Sequence, residues 1–472
     1  MKTFNNYYSI HIIDTSFRGL IMNKIISIMV LGILLLVCCE TSITSGNEKT
    51  GYDLIIIAPR KFISNLQPLA EHKDSYGINT LIKNIEEIYE EYEGRDKAEQ
   101  IKYFIKDALD QWSIEHVLLV GGRAPSIFGE KWLLPVRYSN IVDNWMMPEM
   151  KYLSDLYFAD IYNEHEEFQS WDTNNNGVFG EWLENESAFD IVDMVPDVYL
   201  GRLPCRSTFE VDVMVDKIIQ YETGKCEDSW FKDFVAVAGD TYTDNDYFEG
   251  ENAALEALNY MSDFNHVKLF TSDDSFTGEA DVIRTINKGC GFLLFMGHGS
   301  PTAWGTNKPY GGSPIIYGLK LPQMFLLRNQ EKLPICIVGG CHNSLFNVSI
   351  FHSTWTYKLP TPECWSWVLT HVRNGGSIAT IGCTGLGYGK EDKHNPELGG
   401  GGDYLNVLFF KEYAKHETDY LGEVWGNAIN SYLEEFTIDW NELGFSDTGL
   451  DAKTVQQWIL FGDPSLKIGG YS

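Results

Sequence analysis

Two short segments of this chain hold the residues best suited to covalent chemistry. Phe292-Leu293-Leu294-Phe295-Met296 runs into Gly297-His298-Gly299-Ser300, and Ile335-Cys336-Ile337-Val338 runs into Gly339-Gly340-Cys341-His342-Asn343. Each is an apolar run of strand length that stops at glycine and a reactive side chain. Two neighbouring buried strands would deliver His298 and Cys341 side by side at the carboxyl edge of a parallel sheet, where open α/β sheets place their sites. Glycines flank both residues because the backbone must turn sharply there and let a substrate approach.

Taken singly, a cysteine after a buried strand is a small core residue, and a lone histidine is a satisfied polar group. The two strand ends together carry more. The histidine precedes the cysteine by roughly 50 residues, the order and interval of caspases. A caspase-like cysteine peptidase is therefore the expected function.

At these residues the chain resembles the gingipain family of cysteine peptidases, relatives of clostripain and the caspases. Gly297-His298-Gly299-Ser300 is followed by Thr302-Ala303-Trp304-Gly305, and Cys341 by Leu345-Phe346-Asn347. Ser154-Asp155-Leu156-Tyr157, Asp197-Val198-Tyr199-Leu200-Gly201-Arg202-Leu203 and Lys217-Ile218-Ile219-Gln220-Tyr221-Glu222 resemble further family pieces, as does the closing Phe461-Gly462-Asp463-Pro464-Ser465-Leu466. The resemblance runs from about Asp53 to Leu466. It implies Cys341 as nucleophile, His298 as proton carrier, and backbone N–H groups of Gly299 and Cys341 as oxyanion donors. The family's third, orienting carboxylate falls at Asp240, where a glutamate is expected. The resemblance also implies a preference for Arg or Lys at the cleaved position, set by a buried acid. Asp240 to Glu251 contains Asp244, Asp246, Glu249 and Glu251, and the family position falls near Tyr247. Asp246, Glu249 and Trp304 are the substrate-binding candidates.

The elements needed to position these residues alternate strand and helix, which argues an α/β fold: a caspase-like parallel sheet covered by helices. Leu54 to Ala58, Val117 to Val120, Val198 to Leu200, Phe234 to Ala238 and Ser377 to Ile381 read as further strands. Helices are expected at Ala98 to Trp112, Thr208 to Tyr221, Glu251 to Ser262, Tyr404 to Tyr413 and Leu421 to Tyr432. Two tandem α/β subdomains are expected, 51–225 and 230–468, with the reactive pair in the second. The glycine-rich stretch from Gly382 to Gly402 reads as a substrate-binding loop on the catalytic side.

The chain has 472 residues, 44% of them hydrophobic, enough for substantial cores. Its net charge of −30 argues against nucleic acid or an anionic membrane as partner and leaves protein or peptide substrates. Residues 1–46 read as a leader. Met22-Asn23-Lys24 followed by Ile25 to Val37 has the form of a signal peptide, with Met22 as an alternative start. Cys39 is a candidate lipid attachment point, which would tether an exported protein to the cell surface. Of the remaining cysteines, Cys205 and Cys226 are close enough in sequence to pair, although burial as free thiols is the competing reading.

Asp172-Thr173-Asn174-Asn175-Asn176-Gly177-Val178 has the alternating oxygen donors and the permissive glycine of a calcium loop. Asp172, Asn174, Asn176, the carbonyl of Val178 and Glu181 are its expected ligands, with Glu184 as an alternative to Glu181. Position twelve holds Leu183 in place of the usual bidentate glutamate. Zinc at His298 and His342 is rejected for lack of a closed ligand set, and no organic cofactor is expected. Two other functions compete: a calcium-stabilised surface binding protein on a degenerate peptidase scaffold, and a thiol amidase that does not cleave peptides.

Overall fold

The structure is a computed structural model that describes residues 51–127, 129–142, 149–224, 228–243, 247–351, 360–390 and 399–471. The leader with Cys39, the cysteine Cys226, and Asp244 and Asp246 lie outside the described residues.

Strands Leu54–Ala58 (β1), Thr80–Asn84 (β2) and His116–Val120 (β3) begin the main sheet. Tyr138–Ile141 (β4), Tyr152–Leu153 (β5) and Glu181–Trp182 (β6) form a small sheet of their own, and Tyr199–Leu203 (β7) returns to the large one. The second half adds Asp233–Ala238 (β8), Asn265–Phe270 (β9) and Phe292–Met296 (β10). His298–Ser300 (β11), Ala303–Lys308 (β12) and Gly312–Lys320 (β13) then fold back as an antiparallel meander. Ile335–Gly339 (β14), Ala379–Cys383 (β15) and Trp458–Phe461 (β16) complete the set.

Ten of these strands make one sheet in the order β2-β1-β3-β7-β16-β15-β14-β10-β8-β9. Its neighbours are parallel except where β16 runs against β15. The two tandem units expected from the sequence are thus the halves of a single sheet, joined where β16 lies beside β7.

The unbroken apolar runs of the central strands follow from burial on both faces. Phe234, Ala236, Phe292, Leu294, Ile335 and Ile337 point into one core. The alternate residues Val235, Val237, Leu293, Phe295, Cys336 and Val338 point into the other. Edge strands β2 and β9 carry Lys83 and Lys268 and stay partly exposed, so they lack that signature. The helices Lys97–Trp112, Thr208–Thr223, Glu249–Tyr260, Gly401–Tyr413 and Leu421–Glu435 lie where the periodicity places them. Ser207 caps the second, its Oγ accepting from Glu210 N at 3.3 Å.

Buried ion pairs join distant segments. Arg202 grips Asp155 bidentately at 2.6 and 2.7 Å. Lys73 Nζ lies 2.7 Å from Glu222, 2.8 Å from Asp463 and 3.0 Å from the carbonyl of Ser465. Burial opposes the charge on Lys73, but Asp463 and Glu222 outweigh it and hold its pKa above the ordinary lysine value. Several of the motif residues noted in the sequence therefore hold the sheet together rather than act on substrate.

Candidate active site

Strand register brings the reactive residues together. Phe292 pairs with Ile335 and Met296 with Gly339. Carried two residues past the strand ends, the same register sets His298 opposite Cys341. On the other side Met296 pairs with Ala238, which sets Asp240 level with His298. All three follow the carboxyl ends of adjacent strands β14, β10 and β8, the position a parallel sheet reserves for its site. The glycines are obligatory here. A Cβ on Gly299 would lie 2.2 Å from Asn343 Oδ1 and 2.7 Å from the Cys341 carbonyl oxygen, and one on Gly340 would lie 3.0 Å from the Gly299 backbone. The two turns are in van der Waals contact because neither carries a side chain.

His298 is half-buried, and its Nε2 lies 2.9 Å from the carbonyl oxygen of Thr241. A carbonyl can only accept, so Nε2 carries the proton and Nδ1 remains the ring's acceptor. The Nε2 hydrogen bond of His298 goes to Thr241 rather than to Asp240. The buried Asp240 carboxylate accepts from the Tyr310 amide at 3.0 Å, and its backbone bridges to Asn307. Asp240 thereby anchors the β12–β13 meander, and the next residue's carbonyl orients the histidine.

Cys341 is partly accessible, with Sγ 3.5 Å from the carbonyl oxygen of Gly387. Burial pushes its thiol pKa up. Cys205, Cys290, Cys336, Cys364 and Cys383 are fully buried free thiols, so Cys205 forms no disulfide among the described residues.

The turn after Cys341 is clamped. His342 adopts φ 58°, a left-handed conformation that costs a non-glycine residue of order 1 kcal/mol. It is held by its amide on the Gly385 carbonyl at 2.8 Å and by its Nε2 on Glu149 Oε1 at 2.9 Å. Glu149 Oε2 also accepts from Leu386 N at 2.7 Å and Lys453 Nζ at 2.8 Å. Burial alone would raise the pKa of Glu149. Lys453 and His342 outweigh it and bring the carboxyl down to about 2. One carboxylate thus ties the turn after Cys341 to the Gly385–Gly387 loop that the Cys341 sulfur touches.

Two cavities open beside the pair. A narrow pit of about 40 Å³ is lined by Tyr242, Gly387, Tyr388 and Asp403 along with His298 and Cys341. Asp403 starts the helix Gly401–Tyr413 at the end of the glycine-rich stretch, whose described parts line the pit. Burial, and then the like charge of Glu249, push the Asp403 carboxyl up to about 6. Glu249 is buried in the first turn of Glu249–Tyr260 and accepts from Tyr242 N at 3.1 Å. The second cavity, a groove of about 1140 Å³, runs along β11–β13. Trp304 reaches neither cavity. It is fully buried, with Nε1 donating to the Gly339 carbonyl at 3.1 Å, so it braces the end of β14.

The loop expected to bind calcium is closed on itself. Asp172 Oδ1 accepts from Asn176 N at 3.0 Å, and Oδ2 accepts from Gly177 N at 3.0 Å and from Arg95 Nη1 at 2.7 Å. Asn174 Oδ1 accepts from Asn176 N at 2.9 Å, Asn176 Oδ1 from Val178 N at 2.7 Å, and Glu181 Oε2 from Asn176 Nδ2 at 2.6 Å. No cluster of three acidic, histidine or cysteine ligands occurs among the described residues. Here the Arg95 guanidinium occupies the strongest donor of the loop, Asp172.

Thr241, Glu149 and Asp403 escape a reading of the sequence for different reasons. Thr241 acts through its backbone, which leaves no trace in residue type. Glu149 arrives from the first half of the chain. Asp403 carries one signal, its place directly after the run Gly399–Gly402.

Comparison with known proteins fits this geometry. The model of peptidase family C25 matches residues 47–469. Gingipain R2 of Porphyromonas gingivalis is 22% identical over 438 residues, covering 91% of this chain and 47% of that protein. The chain therefore spans about half the length of that relative. An uncharacterized protein of Archaeoglobus fulgidus is 22% identical over 358 residues, 72% of this chain and 76% of that one. Among solved structures, the Arg-specific cysteine proteinase gingipain R superposes with a TM-score of 0.63 at 18% identity, covering 89% of this chain and 79% of that one. That likeness is one of fold.

Proposed function

This chain belongs to peptidase family C25, and from that premise we propose that it is a cysteine endopeptidase acting through Cys341 and His298. The carrying observation is the shared register that sets the two residues opposite one another at the carboxyl ends of β10 and β14.

His298 Nδ1 takes the Cys341 proton as Sγ attacks the scissile carbonyl carbon. The N–H groups of Gly299 and Cys341 receive the developing oxyanion. The carbon–nitrogen bond then breaks, and His298 returns the proton to the leaving amine. Water, deprotonated by the same histidine, attacks the thioester and releases the acid. A thiol pKa raised by burial suits this sequence, because it favours loss of the proton only once a carbonyl is in place.

The cleaved position takes Arg or Lys. Asp403 in the pit and Glu249 beside it supply the negative charge, which a guanidinium would meet bidentately. Of the acids between Asp240 and Glu251, Glu249 takes a supporting place, with Asp403 nearer the bound cation. The relative named Arg-specific supports the same choice. Export follows from the signal-peptide pattern, and Cys39 would provide the tether.

The test is hydrolysis of fluorogenic peptides ending in Arg, Lys, Leu or Asp by the purified protein beside Cys341→Ala. The reading expects turnover of Arg and Lys peptides that vanishes in the variant. Turnover of small amides without peptides would identify an amidase instead, and faster turnover of Leu or Asp would remove Asp403 from the specificity account.

A further inference from the structure

The pit and the groove meet at the reactive pair, and among the described residues His298 and Cys341 alone line both. A peptide whose scissile carbonyl lies on Cys341 must therefore pass from one cavity to the other. The pit, narrow and lined by Asp403, is the side that the proposed function gives to the residue before the bond. The groove begins at Gly299 and Ser300, the residues that follow the proton donor, and so lies where the leaving amine departs.

The chemistry of the groove differs from that of the rest of the surface. The chain carries 66 acidic residues, yet among the described residues no carboxylate lines this cavity. Its walls include Ile315, Tyr317, Leu321, Pro322, Phe325 and Leu386. Ile315 is 43% exposed, Tyr317 40% and Phe325 55%, an unusual outlay of apolar surface around a single depression. Lys320, the one lysine or arginine of the wall among the described residues, is already engaged: its Nζ lies 2.9 Å from Glu279 and 3.9 Å from the centre of the Tyr317 ring. Such a groove gains from apolar side chains and offers a carboxylate no free partner.

We propose that this groove is a leaving-group subsite, which selects substrates with apolar residues directly after the scissile bond. The inference rests on the peptidase reading and adds a second specificity to it. The acidic pit chooses the cation before the bond, and the groove chooses the hydrophobe after it.

The experiment uses internally quenched peptides that share one Arg at the cleaved position and carry Leu, Phe or Asp in the following two positions. A second series varies only the two residues preceding that Arg. For the unaltered protein, kcat/KM should favour Leu or Phe over Asp after the bond by tenfold or more. Phe325→Lys places a cation on the wall, so the Leu-to-Asp ratio should fall at least tenfold through a gain on the Asp peptide, which a merely misfolded variant cannot show. The preference among preceding residues should not move. An unchanged ratio after the bond would overturn the proposal, and so would a changed preference before it, which would put the acyl side in the groove. Absence of Cys341-dependent cleavage throughout would instead overturn the peptidase reading, and this inference with it.

Discussion

His298 donates its Nε2 proton to the carbonyl oxygen of Thr241 across 2.9 Å, so a backbone group takes the orienting place that a carboxylate fills in a triad. The arrangement fixes the tautomer without adding a charge behind the ring. It also separates two roles that the sequence assigns to one neighbourhood, since Asp240 anchors the meander through Tyr310.

The two roles are separable by mutation. His298→Ala should lower kcat by a factor of about 100 to 10,000 while the fold persists, as expected for loss of the proton carrier. Asp240→Ala should instead cost about 0.5 to 1.5 kcal/mol of stability, the net worth of a typical hydrogen bond, and keep kcat within about tenfold. Thermal melts beside steady-state kinetics decide it. A kcat for Asp240→Ala as low as that of His298→Ala would make the aspartate part of the catalytic unit.

Asp403 should make specificity depend on pH. Its carboxyl titrates at about 6 rather than 3.8 because burial and Glu249 disfavour the charge. The ionised form binds a cationic side chain, so the preference is complete above about 7 and lost as pH falls through 6. The ratio of kcat/KM for Arg over Leu peptides isolates this effect, because changes at Cys341 and His298 cancel in it. Asp403→Asn should lower that ratio by about 100-fold at neutral pH, the scale of a buried charge pair losing one partner. A ratio independent of pH between 5 and 8 would place the acid elsewhere.

Glu149 should contribute stability that acid removes. Its folded value of about 2 lies below the ordinary 4.5. The contribution is therefore complete above about pH 5 and disappears as pH falls from 4.5 towards 2, and the difference corresponds to about 3 kcal/mol. Denaturant titrations of the unaltered protein and Glu149→Gln across this range should converge at the acid end. At neutral pH the variant should also turn over more slowly, because His342 and Leu386 lose the carboxylate that holds the turn beside Cys341. Parallel curves at all pH values would mean that the clamp carries no linkage.

Chelation bears on the loop at Asp172. With Arg95 and two amides on its oxygens, excess chelator should leave the melting temperature unchanged, whereas Asp172→Ala should lower it. A fall on chelation, restored by calcium and absent in Asp172→Ala, would show that a cation displaces Arg95 and binds as the sequence pattern suggests.

Much of the site is legible in the sequence because strand ends write it plainly. The apolar runs before His298 and Cys341 are buried on both faces and carry glycines where the two turns touch, and both features follow from residue type alone. What stays hidden depends on other levels. Thr241 acts through a carbonyl, Glu149 reaches the site from 193 residues away in sequence, and Trp304 carries the side chain of a binding residue but sits in the core. Strand β16 lies against the central strands because tertiary pairing, not a sequence signal, brings the closing motif between the two halves.

The central claim is that Cys341 is the nucleophile paired with His298. Its most direct test is labelling with a peptidyl acyloxymethyl ketone ending in Arg, followed by mass-spectrometric mapping of the adduct. The account predicts modification at Cys341 ahead of every other cysteine, blocked by competing Arg peptide and slowed by orders of magnitude in His298→Ala. Label found first on Cys364 or Cys383, or labelling of Cys341 at the same rate without His298, would contradict it.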